Sequence, residues 1–376
     1  MKKFIFILDA LKANQLGLIQ LNMSEKVHAV NVIPPFSFEP DASYLCGLHP
    51  EESNAGLKYW KTKNVNNSKI FHLLQILPNR PRIVRKIINK ILKKTPLPSL
   101  KKYKNNYACI PFKMLKYFEL SNESELFQKS SGSMPSTIFD SIQGDYCYMG
   151  VPYTSGQLDY IKTNLTQDKL KQYNTFFIYI SDLDNTGHKY GGISAEYDTK
   201  LTEIIHYIKS VVTSFDKEEQ VNYIIFGDHG MVNVKKYINL ERILKKLPLQ
   251  IEKDYIYFLD STMARFWFYN EKAEKLIYHA LAELEGGSWI NDEDKTQYKI
   301  RYNHNKFGDA IWWVNDESII SPNFWQCEKK IKGMHGYRKN VNENHTCVIS
   351  NQKLYNSTDT IEMIELNQIL ETFLKN

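Results

Sequence analysis

The sequence predicts an α/β protein, a three-layer α/β/α sandwich in which helices cover both faces of a mostly parallel central sheet. Apolar runs rich in β-branched and aromatic residues predict buried strands at residues 3–9, at 175–180 and at Ile224–Phe226. Between the last two runs, Ser194 caps a segment whose apolar residues recur at helical spacing. Strands that alternate with helices in this way are typical of a parallel sheet.

The length of 376 residues is sufficient for one large α/β domain that carries inserts. We predict a single domain over residues 1–376, with a basic insert at 55–134 and an α+β insert at 232–332. Charge marks the first insert, because residues 54–117 contain sixteen Lys and Arg and no Asp or Glu. Short aromatic-rich strands mark the second, and we expect them at Tyr255–Leu259, Ala264–Tyr269, Lys299–Tyr302 and Ala310–Val314.

A basic amphipathic helix is predicted inside the first insert, at residues 79–94. Asn79 suits its cap, Pro81 its first turn and Pro96 its end. Its Ile and Leu face has three interpretations. The helix packs on the rest of the chain as a lid, or it makes a peripheral contact with an anionic membrane surface, although Trp and Phe anchors are missing. Nucleic-acid binding is least favoured, since no fold of that kind is recognisable.

Cysteine usage and the N-terminal segment bear on the compartment. The five cysteines, Cys46, Cys109, Cys147, Cys327 and Cys347, are widely spaced and form no CxxC pair. This pattern predicts no disulfide framework and no structural thiolate zinc site, which is typical of a reducing compartment. The apolar run at residues 4–8 is too short for a signal peptide and Asp9 follows at once, so we expect a first strand that is retained and a cytoplasmic protein.

Carboxylates and imidazoles follow the predicted strands at the points where the strands end. The side chains in such strand-end positions are Asp9, Ser37, Asp184, His188, Asp228, His229 and His335. Open α/β sheets place their chemistry at the carboxyl ends of the strands. A mixture of carboxylates and imidazoles suits zinc or a similar divalent ion, and seven groups exceed the needs of one tetrahedral ion. They fit two ions held about 4 Å apart, as in two-metal phosphate enzymes.

Three short blocks carry a resemblance to a known family. Asp184–His188 looks like an Asp-x-x-Gly-His block, Asp228–Met231 like an Asp-His-Gly-Met block and His335–Tyr337 like a His-Gly-Tyr block. Their order and strand-end settings resemble the alkaline phosphatase superfamily, and most closely its type I phosphodiesterase/nucleotide pyrophosphatase branch. The resemblance covers residues 1–54, about 137–228, and 335 to the end. It implies an alkaline-phosphatase-like catalytic domain and a metal-dependent hydrolase.

The resemblance also implies a role for each of these residues. Asp9, Asp228, His229 and the Ser37 oxygen would surround one ion, while Asp184, His188 and His335 would hold the second. The ions are implied to be Zn²⁺, with Mn²⁺ as the alternative. Ser37 is the implied nucleophile, because it lies ten residues before Gly47–Glu51, which looks like the family's Gly-Leu-Tyr-Pro-Glu segment. Its attack on phosphorus would form a phosphoseryl-type intermediate.

The sequence departs from the family pattern near Ser37. Glu39-Pro40 stands where the phosphodiesterases carry Pro-Asn, and the family's later phosphate-contacting Asn falls at Lys58 or, after a small shift, at Asn54. Both residues are therefore candidate substrate contacts. No Cys/Ser-x-Pro-x-Arg segment is present, which disfavours a sulfatase.

The leading hypothesis is a hydrolase that cleaves a phosphodiester or pyrophosphate bond in a small-molecule or nucleotide-type substrate. One alternative is a phosphomonoesterase or phosphotransferase that uses the same site. The other belongs to a different class, a protein that docks on membranes or polyanions and retains a structural metal site. Trp312-Trp313 and Trp325 have two interpretations. They could line an aromatic wall that binds a base or sugar, but we favour a place in the core of the α+β insert.

Overall fold

The computed structural model describes residues 1–23, 28–36, 40–53, 57–63, 90, 109–120, 126–130, 135–150, 156–215, 219–302, 305–327, 329–354 and 360–375. Ser37, Asn54 and the helix predicted at 79–94, apart from Lys90, lie outside the described residues. The chain divides into two compact units. The first comprises Met1–Gly56, Glu123–Asn233 and Ile331–Asn376, and the second comprises Leu57–Asn122 and Val234–Lys330. Within the described ranges, no helix is long and apolar enough to cross a membrane.

Strands and α-helices are numbered here in chain order. The strands are β1 (Lys2–Leu8), β2 (His28–Ile33), β3 (Tyr59–Lys61), β4 (Phe118–Leu120), β5 (Tyr146–Met149), β6 (Thr175–Ile180), β7 (Val221–Phe226), β8 (Val232–Asn233), β9 (Lys236–Ile238), β10 (Tyr255–Leu259), β11 (Met263–Phe268), β12 (Gly287–Trp289), β13 (Ala310–Val314), β14 (Ser318–Ile320), β15 (Gly333–Met334), β16 (Thr346–Ser350) and β17 (Thr360–Glu362). The helices are α1 (Leu16–Asn22), α2 (Asp41–Cys46), α3 (Pro50–Ser53), α4 (Gln157–Asn164), α5 (Gln167–Gln172), α6 (Asp182–Tyr190), α7 (Ala195–Val212), α8 (Leu240–Leu244), α9 (Glu271–Ala282), α10 (Asp292–Gln297) and α11 (Met363–Lys375).

The first unit is built on a seven-stranded sheet in the order β17-β2-β16-β7-β1-β6-β5. Strand β1 lies between β7 and β6 and pairs with both in parallel. Strand β16 runs antiparallel to its neighbours β7 and β2, whereas β5 and β17 extend the sheet by parallel pairing. The predicted mostly parallel central sheet is confirmed.

Apolar residues on both faces of the central strands explain why this sheet is covered twice. Alternate residues of β1 enter two separate core clusters, Phe4, Phe6 and Leu8 the first and Ile5 and Ile7 the second. Helices α4 and α7 complete the first cluster, and α2 and α11 complete the second. A strand buried on both faces is apolar throughout, which is why these runs predict strands without alternation. The three-layer α/β/α sandwich is confirmed.

The second unit contains a four-stranded antiparallel sheet in the order β10-β11-β13-β12. Arg265 on β11 is fully buried, and its guanidinium donates to Asp260 Oδ2 at 2.7 Å and to the Tyr59 carbonyl at 2.6 Å. The first bond joins opposite charges, and the second ties β3 to the sheet. Trp312 and Trp313 are fully buried and Trp325 is half-buried, so the first two belong to the core. The insert boundaries at 55–134 and 232–332 stay predictions.

The predicted strand at Lys299–Tyr302 is wrong. Lys299 adopts the left-handed region at φ 53°, and the Ile300 N–H donates to the Lys295 carbonyl at 3.0 Å. Arg301 turns back to Thr296 Oγ1 at 2.8 Å. Alternating polar and apolar residues here end helix α10 and do not extend along a neighbouring strand.

The prediction of no disulfide framework is contradicted at one pair of cysteines. Cys109 and Cys327 form a disulfide across a sequence separation of 218 residues, with their Cα atoms 5.5 Å apart. That separation lies in the ordinary range for a disulfide. The two cysteines meet because both segments of the second unit fold together, which no local spacing reveals. The pairing removes one argument for a reducing compartment, and the cytoplasmic localisation stays a prediction.

The loop that follows β7 packs tightly against residues 343–345. Gly230 donates its N–H to the Asn344 carbonyl at 2.9 Å, and Met231 donates to the Glu343 carbonyl at 2.9 Å. A Cβ atom at position 230 would meet the Glu343 carbonyl oxygen and lie 2.6 Å from that of His345. Glycine is therefore required at the third position of the Asp-His-Gly-Met block by close backbone approach.

Replacing Gly230 with alanine should lower the free energy of unfolding by about 1–3 kcal/mol, because rigid backbone must move to admit the new methyl group. Denaturant unfolding of metal-free protein measures this. Gly17→Ala is the matched control, since Gly17 is exposed in α1 and an added Cβ meets no described atom within 4 Å. We expect that control to be neutral or to gain up to about 1 kcal/mol. Equal stability of the two variants would contradict the close-approach argument.

Candidate metal centre

Asp9 and Asp228 meet because β1 and β7 run in parallel and end at the same edge of the sheet. Their register pairs Ile7 with Phe226. Asp9 and Asp228 each follow two residues after this pair, so both carboxylates lie just past the ends of the strands. Asp228 Oδ1 accepts the N–H groups of Ala10 at 3.0 Å and His229 at 2.9 Å. Both aspartates are buried, with 2% and 1% of their surface exposed. Two carboxylates thus share one water-poor site.

His229 completes the first group. Ligand atoms of Asp9, Asp228 and His229 all lie within 4.8 Å of one another. His229 Nδ1 lies 2.9 Å from the Gly230 carbonyl, and since a carbonyl only accepts, Nδ1 carries the hydrogen. In the neutral ring the Nε2 lone pair then faces Asp9 Oδ1 at 3.5 Å and Asp228 Oδ2 at 3.6 Å. Three electron-rich atoms converge, an arrangement that a cation stabilises.

Two members of the second group, Asp184 and His188, lie on α6, which follows β6 along the chain. Asp184 and His188 are one helical turn apart on the same face, and His188 Nε2 lies 3.3 Å from Asp184 Oδ1. His188 Nδ1 donates to the Gly333 carbonyl at 2.8 Å, which leaves its Nε2 as the lone-pair nitrogen. His335 Nε2 lies 3.9 Å from the same Asp184 oxygen. Among the described residues, that buried Oδ1 has no hydrogen-bond partner, as expected of a metal ligand.

The two groups are contiguous. The rings of His229 and His335 stack with centroids 3.5 Å apart and an interplanar angle of 6°. Ligand atoms of Asp184, His229 and His335 also lie within 4.8 Å of one another, so His229 is within reach of both groups. The structure therefore brings together six of the seven residues predicted as ligands. The seventh, Ser37, lies outside the described residues.

The two candidate substrate contacts have different outcomes. Asn54 lies outside the described residues. Lys58 belongs to the second unit, where its ammonium nitrogen lies 6.0 Å from the centre of the Trp325 ring. A role for either residue in substrate binding stays a prediction.

Electrostatics of the site favour a bound divalent ion. Burial, together with the negative charges of Asp228 and Asp184, raises the pKa of Asp9 well above its usual value. Burial and the neighbouring imidazoles of His229 and His188 lower the pKa of His335 well below its usual value. A neutral imidazole is the ligating form, and a dication would compensate the crowded carboxylates. The donor set of carboxylates and imidazoles fits Zn²⁺ and similar ions.

Gly187 and Gly333 permit the close approach of the elements that carry the candidate ligands. An ideal Cβ at Gly187 would lie 2.8 Å from Met231 Cγ and Cε, and one at Gly333 would lie 2.5 Å from the Gly187 carbonyl oxygen. Strand β15 therefore packs on α6 at a separation that requires glycine at position 333, and Gly187 leaves the space that the Met231 side chain fills. The close packing of Gly333 on Gly187 also places the Gly333 carbonyl where His188 Nδ1 can donate to it.

Two supporting residues were missed in the sequence. The Tyr179 hydroxyl lies 3.0 Å from Asp9 Oδ2 and 3.3 Å from Asp228 Oδ2. Asn344 accepts the Gly230 N–H on its carbonyl and the Gly336 N–H on its side-chain oxygen at 3.0 Å, which ties two ligand loops together. A tyrosine in an apolar strand and an asparagine in a polar loop carry no local signal of these roles.

Comparison with known proteins agrees with this geometry. Residues 84–338, more than half of the chain, match the family described as Type I phosphodiesterase / nucleotide pyrophosphatase. The chain belongs to the type I phosphodiesterase/nucleotide pyrophosphatase family. It is accordingly a hydrolase of the alkaline phosphatase superfamily, and the resemblance seen in the three sequence blocks is confirmed.

Solved structures share the fold at low sequence identity. Murine ectonucleotide pyrophosphatase/phosphodiesterase 5 has a TM-score of 0.67 at 14% identity, over 100% of this chain and 95% of that chain. An inactive form of the murine protein in complex with AMP has a TM-score of 0.66 at 14% identity, with the same coverage. The human protein has a TM-score of 0.62 at 16% identity, again over 100% and 95%. These likenesses support the alkaline-phosphatase-like fold.

Adding Zn²⁺ or Mn²⁺ to chelator-treated protein should raise Tm, because an ion that binds only the folded state stabilises it by about 2.7 kcal/mol at a hundredfold excess over Kd. Differential scanning calorimetry measures the shift. His335→Ala should reduce it, whereas His206→Ala, an exposed residue on α7, should retain it. An unchanged Tm for the wild-type protein with both metals would argue against the candidate metal centre.

Proposed function

We propose that this chain hydrolyses a phosphodiester or pyrophosphate bond in a nucleotide-type small molecule, using two divalent ions at the candidate metal centre. One observation carries the proposal: three carboxylates and three imidazoles converge at one edge of the sheet, with ring nitrogens and carboxylate oxygens facing each other. Such a donor set in a member of this family supports metal-assisted phosphoryl chemistry.

We assign the ligands in two sets. Asp9, Asp228 and His229, with the Ser37 oxygen, would hold one ion. Asp184, His188 and His335 would hold the other, with His229 near enough to serve both sets. When bound, the ions would supply positive charge to the phosphate oxygens and lower the pKa of the Ser37 hydroxyl. Zn²⁺ is favoured by the imidazole content, and Mn²⁺ is the alternative.

Ser37 is the proposed nucleophile. Its Oγ loses a proton and forms a bond to phosphorus, while the bond from phosphorus to the leaving oxygen breaks and that oxygen takes up a proton. Water then attacks the phosphoseryl group, releases the product and restores the Ser37 hydroxyl. The assignment rests on the position of Ser37 ten residues before Gly47–Glu51, a segment that follows α2 and includes the start of α3.

A nucleotide-type substrate is supported by the complex of the inactive murine relative with AMP. The alternative on the same site is a phosphomonoesterase or phosphotransferase.

The cytoplasmic localisation and a peripheral membrane contact through residues 79–94 are proposals that rest on the sequence alone. A docking role without catalysis is disfavoured, since the family assignment identifies a hydrolase.

Substrate preference and metal dependence can be measured together on the zinc- or manganese-loaded protein. We expect higher kcat/KM for the p-nitrophenyl ester of thymidine monophosphate and for bis-p-nitrophenyl phosphate than for p-nitrophenyl phosphate. Asp228→Asn should lower turnover at least about a hundredfold and remove bound metal, because it removes a direct carboxylate ligand. Loss of a residue that only hydrogen-bonds to a metal ligand already lowers metal affinity or activity by about 10–100-fold. Faster turnover of the monoester would instead identify a phosphomonoesterase.

Ser37→Ala should reduce turnover to below about a thousandth of the wild-type value while the protein still binds metal. Rapid-quench detection of a phosphorylated protein, present in the wild type and lost in the variant, checks the covalent step. Ser43→Ala on α2 is the control, because the Ser43 hydroxyl donates to the Leu48 carbonyl at 3.0 Å and has no assigned chemistry. Wild-type turnover in Ser37→Ala would show that another group attacks phosphorus.

A further inference from the structure

Tyr179 is a buried residue of β6 whose hydroxyl reaches the carboxylates of the first metal group. It lies 3.0 Å from Asp9 Oδ2 and 3.3 Å from Asp228 Oδ2, and the residue is fully buried. The register of β1 with β6 pairs Ile7 with Tyr179, and Asp9 donates its N–H to the Ile180 carbonyl at 3.1 Å. The tyrosine and the aspartate are thus held on adjacent strands by backbone bonds.

The oxygens that Tyr179 contacts define its role. Asp228 Oδ1 is held by two backbone N–H groups, from Ala10 and His229, and its Oδ2 faces the His229 ring. Asp9 Oδ1 faces the same ring, and its Oδ2 accepts from the Tyr179 hydroxyl. A hydroxyl donates one hydrogen, and the shorter distance gives it to Asp9. Tyr179 therefore orients Asp9 as the backbone orients Asp228.

The ring of Tyr179 is held in place by its neighbours. It meets the Phe127 ring edge-on at a centroid distance of 5.9 Å. Gly150 directly follows the adjacent strand β5 and has no side chain. An ideal Cβ there would lie 3.1 Å from Tyr179 Cβ and clash with the Tyr179 carbonyl. A donor on a ring this confined has little rotamer freedom to lose on orienting the carboxylate.

We propose that Tyr179 is a positioning residue for the metal centre, with its hydroxyl fixing the Asp9 carboxylate so that Oδ1 is presented to the ion. This inference rests on the proposed function, since it presumes an ion at Asp9, Asp228 and His229. Hydrogen-bond partners of metal ligands typically contribute 10–100-fold in affinity. Tyr179 would supply that contribution through Asp9 without touching metal or substrate.

The test compares Tyr179→Phe with Tyr148→Phe. Both remove one hydroxyl from a tyrosine that packs on Phe127, and Tyr148 lies on the adjacent strand β5 with its ring centroid 5.8 Å from that of Phe127. The Tyr148 hydroxyl has no hydrogen-bond partner within the described part of the chain. It is therefore a control for loss of a buried hydroxyl next to the site. Metal-free protein of each variant is titrated with Co²⁺ by calorimetry, and visible absorption reports the coordination.

We expect Tyr179→Phe to bind Co²⁺ about 10–100-fold more weakly at one site and to show an altered Co²⁺ absorption spectrum, while Tyr148→Phe matches the wild type. Affinity and spectrum of Tyr179→Phe equal to those of the wild type would overturn the inference, and so would equal losses in both variants. A Tyr179→Phe protein that fails to fold without metal would also overturn it, because the hydroxyl would then serve the fold. If the wild type itself binds no Co²⁺, the proposed function fails first, which keeps the two failures distinguishable.

Discussion

Asp9, Asp228 and His229 form a buried cluster, and the rest of the site depends on the contacts within it. Two carboxylates at one sheet edge repel each other in a water-poor environment, and burial with these charges raises the pKa of Asp9. The His229 nitrogen that faces them carries a lone pair, since its partner nitrogen donates to the Gly230 carbonyl. Such a cluster is unfavourable unless a cation lies within it. The fold brings the three groups together in the arrangement that a divalent ion stabilises.

Holding this cluster requires close packing of several loops. Gly230 and Gly333 let the backbone of neighbouring elements approach at distances that a Cβ would prevent, and Gly187 leaves room for the Met231 side chain. Asn344 bonds to both the loop after β7 and the loop after β15, so that His229 and His335 stack. Backbone donors hold Asp228, and Tyr179 contacts Asp9. The candidate ligands lie on rigid supports, a condition for tight and selective metal binding.

Residues that act locally were readable in the sequence. The apolar runs of β1, β6 and β7 predicted buried strands because each is covered on both faces, and Ser194 caps α7 by accepting the Tyr197 N–H. The alternation at Lys299–Tyr302 was misleading, because four residues that end a helix can show the same period as a strand. Strand β3 lies in the segment rich in lysine and arginine and β4 directly follows it, so the charge pattern gave no sign of the short pairing of Tyr59–Lys61 with Phe118–Leu120.

By itself the sequence determined the fold class, the family and six of the groups that meet at the candidate metal centre, because strand-end motifs place the candidate ligands and their order within a few residues. Tertiary structure alone decided that Cys109 pairs with Cys327, that His229 reaches both ligand groups and that Tyr179 contacts Asp9. Each of these depends on which distant segments become neighbours and on which face of a strand a side chain lies. Neither the Tyr179 hydroxyl in an apolar strand nor a cysteine 218 residues from its partner produces a local sequence pattern. The contacts that define their roles form only when the chain folds.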